Sequence, residues 1–117
     1  MHRIPVLVAG FRGMFAEIVT QLLSGHRDMQ VLQRTEPEHV LATVREFDVR
    51  VVILEMTDGD LPPLGGQLLA ANPSTKVLGI AGHGRAAKLF EHKVVCTPLG
   101  ELSADGLAEV VRSAGRD

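Results

Sequence analysis

The chain is short of the residues that mark several protein classes. It has no tryptophan, no tyrosine, four phenylalanines and one cysteine among 117 residues. A lone Cys96 excludes an internal disulfide framework and any metal site built on several thiolates. Set beside Val94 and Val95, it reads as a buried thiol that packs like a small apolar side chain. Long apolar runs are missing too. The stretch 49–54 is broken by Arg50 and falls far short of the roughly 20 residues that cross a bilayer. Met1-His2-Arg3 leads straight into a strand-like segment without the apolar stretch or cleavage site of a secretory signal, so a cytoplasmic location is expected. Neither sign of charge dominates: 12 basic and 14 acidic residues are mixed along the chain for a net of -2. Such a balance supplies no broad positive field for a nucleic-acid backbone or an anionic membrane.

What is there fits an ordinary globular fold. Hydrophobic residues make up 45% and charged residues 22%, enough apolar surface for one core and too little chain for two, so residues 1–117 are expected to form a single domain. Short apolar segments alternate with helical patterns about five times, the rhythm of βαβ units. The strand candidates are 4–9, 29–33, 49–54, 76–81 and 93–97. The last three are near-continuous apolar runs, as expected of parallel strands buried on both faces.

The helices carry the complementary period. Phe15, Ile18, Val19, Leu22 and Leu23 recur at helical spacing, and Gly25 stands where a C-cap glycine would, so this stripe is expected to be core. Glu36-Pro37-Glu38 opens a second helix that ends near Phe47. A third follows the proline and glycine cluster at 62–66 and runs through Ala71. Residues 85–92 are expected to form a brief fourth helix, and Ser103 to cap a last one that ends near Gly115. The expected fold is therefore α/β, a (βα)5 three-layer sandwich around a five-stranded parallel sheet.

In an open parallel sheet, ligands bind beyond the carboxyl ends of the strands. Here those positions hold Ala9-Gly10-Phe11, Gln33-Arg34-Thr35, Glu55-Met56-Thr57-Asp58, Ala81-Gly82-His83 and Thr97-Pro98-Leu99. The set is chemically poor. Glu55 is the one charged group at the ends of the three later strands, so neither a cation cage nor a phosphoryl-binding cluster is expected. No metal, cofactor or catalytic residue is assigned.

Several stretches resemble a known family. The run Val6-Leu7-Val8-Ala9-Gly10-Phe11-Arg12-Gly13-Met14-Phe15 is similar to the first strand and loop of response-regulator receiver domains, nearest those of LuxR/NarL-type regulators. Arg50-Val51-Val52-Ile53-Leu54-Glu55 is similar to their third strand, and Val94-Val95-Cys96-Thr97-Pro98-Leu99 to their ending, which normally reads Lys-Pro. The resemblance implies a CheY/flavodoxin-like sheet of order 2-1-3-4-5. It also implies a degenerate pocket of Gly10, Phe11, Glu55, Ala81, Thr97 and Pro98. Gly10 and Phe11 replace an acidic pair, Glu55 the phosphoacceptor aspartate, Ala81 a hydroxyl and Thr97 a lysine. The implied role is phosphorylation-independent protein interaction or homodimerisation in signal transduction or transcription regulation. Receivers pair through the fourth helix, fifth strand and fifth helix, which places the surface on Arg85, Lys88, Leu89, His92, Lys93, Asp105, Glu109 and Arg112. An output domain would follow Asp117.

A second reading starts from the same loop. Gly10, Gly13 and Ala16 fit a Gly-x-x-Gly-x-x-Ala spacing between strand and helix, in which backbone N–H groups approach a pyrophosphate at the helix N-terminus, with Arg34 placed for a 2′-phosphate of NADP. The second strand lacks the ribose-binding acid and the chain has no tyrosine, so a small Rossmann-like NAD(P)-binding domain is the alternative. The five histidines are scattered without ligand spacing, and no Gly-x-Ser-x-Gly elbow occurs.

Overall fold

The computed structural model describes residues 3–9, 14–34, 36–56, 61–72, 74–81, 85–91 and 95–116. Their elements run β1 (Ile4–Ala9), α1 (Met14–Ser24), β2 (Met29–Arg34), α2 (Pro37–Phe47), β3 (Val51–Glu55), α3 (Pro63–Ala71), β4 (Lys76–Ala81), β5 (Ala86–Glu91), β6 (Val95–Gly100) and α4 (Ala104–Arg116). The sheet among them has six strands in the order β2-β1-β3-β4-β5-β6. β1 pairs in parallel with β2 and β3, and β3 with β4. β5 is antiparallel to both β4 and β6.

The expected all-parallel (βα)5 sandwich is thus corrected to a mixed sheet. Residues expected to form a fourth helix are strand β5, hairpinned back along β4 with Ala81 opposite Ala86 and Val77 opposite Phe90. The reason is reach. A crossover between parallel strands needs a dozen or more residues, and the segment after Ala81 spends Gly82 and Gly84 near its start. A returning strand covers the same span in six residues. Its side chains also suit a two-faced sheet: Ala87 and Leu89 join the core on one face, Phe90 that on the other. Alternation over two faces outweighs the helix propensity of Ala, Lys, Leu and Glu. β6 runs in the direction expected of the fifth strand, but one place further from β4. A register shift between Ala87 and Lys88 and a left-handed Gly100 (φ 71°) mark where it leaves the ladder.

Both faces of the sheet are covered. On one, α1 and α4 bury Ala16, Val19, Leu23, Leu107, Ala108, Val111 and Ala114 against Val6, Val8, Val51, Ile53, Leu78 and Ile80. On the other, α2 and α3 bury Val40, Val44, Leu68 and Leu69 against Leu7, Val52, Leu54 and Val77. β1 and β3 lie between the two layers, so their near-continuous apolar runs follow from burial on both sides.

The helix ends follow local chemistry. Ser103 Oγ accepts the Gly106 N–H at 3.0 Å and caps α4 as expected. Proline opens α2 and α3, where its missing N–H costs no hydrogen bond. α2 ends on a left-handed Asp48 (φ 49°), whose N–H bonds the Val44 carbonyl. Gly25 follows α1 without taking the left-handed cap conformation expected of it, since Gly100 is the one glycine with positive φ among the described residues. No described helix is long and apolar enough to cross a membrane.

Candidate functional site

The receiver-like pocket does not assemble. Glu55 ends β3 with an exposed side chain, and Ala81 ends the neighbouring β4, half-buried. Thr97 and Pro98 stand opposite Leu89 and Lys88 in the middle of β6, three strands from Glu55. At about 4.8 Å per strand that is roughly 14 Å across the sheet, too far for a lysine-like or hydroxyl contact to a group at Glu55. The cause is β5, which occupies the place the fifth parallel strand was expected to fill. Gly10 and Phe11 lie outside the described residues, as do Gly13 of the dinucleotide spacing and His83. Arg34 donates to its neighbour's carbonyl, Gln33 O, at 2.7 Å.

The expected interaction residues divide into three groups. His92 and Lys93 lie outside the described residues. Arg85 is exposed just before β5, while Lys88 and Leu89 are half-buried on that strand; Asp105 and Glu109 are exposed on α4. Arg112 is corrected from a free contact to an internal staple. Its Nε donates to Asp28 Oδ2 at 2.6 Å, one terminal nitrogen to Glu109 Oε1 at 3.0 Å, and the other lies 3.4 Å from both Asp28 Oδ1 and His26 Nδ1. Because Asp28 also supplies the carbonyl that accepts the Ile4 N–H, the staple ties α4 to the α1–β2 turn and to the start of β1. The guanidinium's hydrogen bond holds the Asp28 carboxyl below its ordinary range, and that carboxyl holds Arg112 above its own.

A different cluster emerges where α4 meets the hairpin. A cleft of about 440 Å³ is lined by Lys76, Leu89, Glu91, Leu99, Glu109, Val110, Ser113 and Ala114. At one end Lys76, 9% exposed, pairs across the β4–β5 ladder with Glu91 at 3.1 Å. Leu89, Leu99 and Val110 are each half-buried and pack against the core below. The row exists because α4 packs over β1 and β3, and β5 and β6 extend past it. Sequence reasoning included Leu89 and Glu109 in the interaction surface but missed Lys76, Glu91, Leu99 and Val110. The missed signal was the period-two pattern of 86–91, which makes Glu91 a cross-strand neighbour of Lys76.

The carboxyl edge assembles no cluster of three or more metal-ligating side chains among the described residues. Glu55 there is an exposed carboxylate beside Met56 and Ile80.

No family model matches the chain, and no curated protein matches it. Among solved structures, the chain aligns over 97% of its length, and 92% of the other chain's, with the C-terminal domain of the coenzyme A biosynthesis bifunctional protein CoaBC, at 9% identity and a TM-score of 0.42. So remote a likeness says nothing of this chain's chemistry. The receiver resemblance is withdrawn: the β4–β5–β6 antiparallel hairpins replace the parallel fifth unit on which its lysine position depends.

Proposed function

We propose that this chain is a phosphorylation-independent interaction module that works by homodimerising through its α4–β5–β6 face. The observation that supports this reading is the half-buried row Leu89, Leu99 and Val110, left open where α4 stops short of the hairpin. Charged groups border it at both ends. Arg85 stands before the start of β5, while Glu91, paired with Lys76, ends the strand and Glu109, paired with Arg112, borders the same cleft. A two-fold axis crossing the middle of β5 brings Arg85 of one copy to the Glu91 end of the other, about 20 Å along the strand. An apolar centre with a charged rim is the anatomy of such contacts.

Packing by faces, rather than by strand edges, fits the sequence of β6. Its exposed Pro98 lacks the N–H that edge-to-edge pairing would use. A dimer of this kind would present two copies of any attached output, transcriptional or otherwise, without chemistry at Glu55.

Sedimentation equilibrium over a hundredfold range of concentration tests the proposal. The expected result is a concentration-dependent dimer that Val110→Glu converts to monomer while leaving the far-UV circular dichroism unchanged. A monomer at every concentration, or a dimer indifferent to Val110→Glu, would overturn it.

A further inference from the structure

We propose that the outer side of α1, with the flank of α4 beside it, docks a basic amphipathic helix of a partner protein. The argument begins with composition. Glu17 is the one charged residue in Met14–Ser24, whereas Pro37–Phe47 carries Glu38, Arg45 and Glu46, and Ala104–Arg116 carries Asp105, Glu109, Arg112 and Arg116. Glu17, Gln21 and Ser24 form a polar exposed flank, and a surface helix keeps its apolar residues on the core side, yet α1 has a second exposed flank that is apolar. Val19 and Leu23 are buried as the core requires, but Ile18 is 46% and Leu22 40% exposed. These two are i and i+4 neighbours, so they form one continuous patch on one flank. They are two of the three exposed large hydrophobic side chains among the described residues.

The surroundings of that patch are acidic. α1 and α4 pack on the same face of the sheet and both run back toward the start of β1, where the Arg112–Asp28 staple joins them. Counting back along α4 at about 1.5 Å per residue, Glu109 comes roughly level with Leu22 and Asp105 with Ile18. Asp105 and Glu109 are exposed, and so is Glu17 on α1. Arg112, the nearby cation on α4, is shared between Asp28 and Glu109, so Glu109 is partly offset and the exposed Asp105 and Glu17 carry most of the acidic character. Two apolar side chains one turn apart, with carboxylates on α1 itself and on the neighbouring α4, complement a helix that presents an apolar i, i+4 pair between lysines or arginines. The surface shares Glu109 with the rim of the hairpin cleft, but its apolar pair lies on α1 and its binding does not depend on dimerisation.

The probe is a synthetic helical peptide of about 18 leucines and lysines with its leucines on one face, compared with a peptide of the same composition whose leucines are dispersed around the helix. Amide shifts of the labelled full chain are followed during titration. The expected result is shifts centred on Ile18, Leu22, Asp105 and Glu109 with the amphipathic peptide, at least about tenfold weaker binding for Ile18→Glu, and a further loss with Asp105→Lys. Both positions are exposed, so the variants should keep the fold, which unchanged spectra elsewhere would verify. Equal binding of the dispersed peptide, shifts centred on another face, or indifference to Ile18→Glu would overturn the proposal.

Discussion

Two side chains on the molecule do work that their types alone do not announce. Thr75 is buried just ahead of β4, and its Oγ1 donates to the Val49 carbonyl at 2.7 Å. Val49 follows α2 and precedes β3, so this one bond joins the entrances of two central strands. Replacing Thr75 with Val keeps the volume but leaves a buried carbonyl without its donor, and should destabilise the chain by about 1–3 kcal/mol. Urea denaturation of the two proteins measures this directly. Asp28 gives the second prediction. Its carboxyl titrates below its ordinary value of 3.8 when folded, chiefly through the Arg112 hydrogen bond. A depressed carboxylate stabilises the fold above its unfolded pKa and loses that contribution as pH falls through the folded value. Urea midpoints followed from about pH 6 down to about pH 2 should therefore fall more steeply for the native chain than for Arg112→Gln. Parallel profiles would mean that the pair is too solvated to couple.

The elements show where local reading succeeds. β1, β4, α1 and α2 stand within a residue or so of the expected bounds because each carries a strong period and a boundary signal: proline at the start of α2, and apolar runs bounded by turns for the strands. Ser103 capping α4 was legible for the same reason. β5 was not, because Ala86-Ala87-Lys88-Leu89-Phe90-Glu91 has helix-forming residues and gains its strand conformation only from β4 and β6 on either side. Gly79 on β4 makes a packing requirement testable. A Cβ there would run into the Met56 side chain, whereas Phe90 Cε2 at 3.4 Å would be in ordinary contact, so glycine at this point makes room for Met56. Gly79→Ala is expected to cost about 1–3 kcal/mol by overpacking. Its amide shifts should concentrate at Met56 and its neighbours. The Lys76–Glu91 pair makes a matching prediction: Glu91→Gln leaves a largely buried ammonium short of a carboxylate, and should cost roughly 1–2 kcal/mol, less than a fully buried pair because Glu91 is 33% exposed.

At the scale of the whole molecule, the order β2-β1-β3-β4 and its parallel sense were readable, and the layer arrangement with them. The site was not. Its expected members, Glu55, Ala81, Thr97 and Pro98, were matched by short motifs, which do not fix the order of strands in space, and one inserted strand leaves the last two about 14 Å from Glu55. The same insertion creates the open row of Leu89, Leu99 and Val110 from which the proposed dimer follows. An isotope-filtered NOE experiment on an equimolar mixture of labelled and unlabelled chain tests that account most directly, since it reports only contacts between copies. The account predicts intermolecular NOEs from the methyl groups of Leu89, Leu99 and Val110 to each other and to the Arg85 side chain. Intermolecular NOEs confined to other surfaces, or none at concentrations where the chain sediments as a dimer, would contradict it.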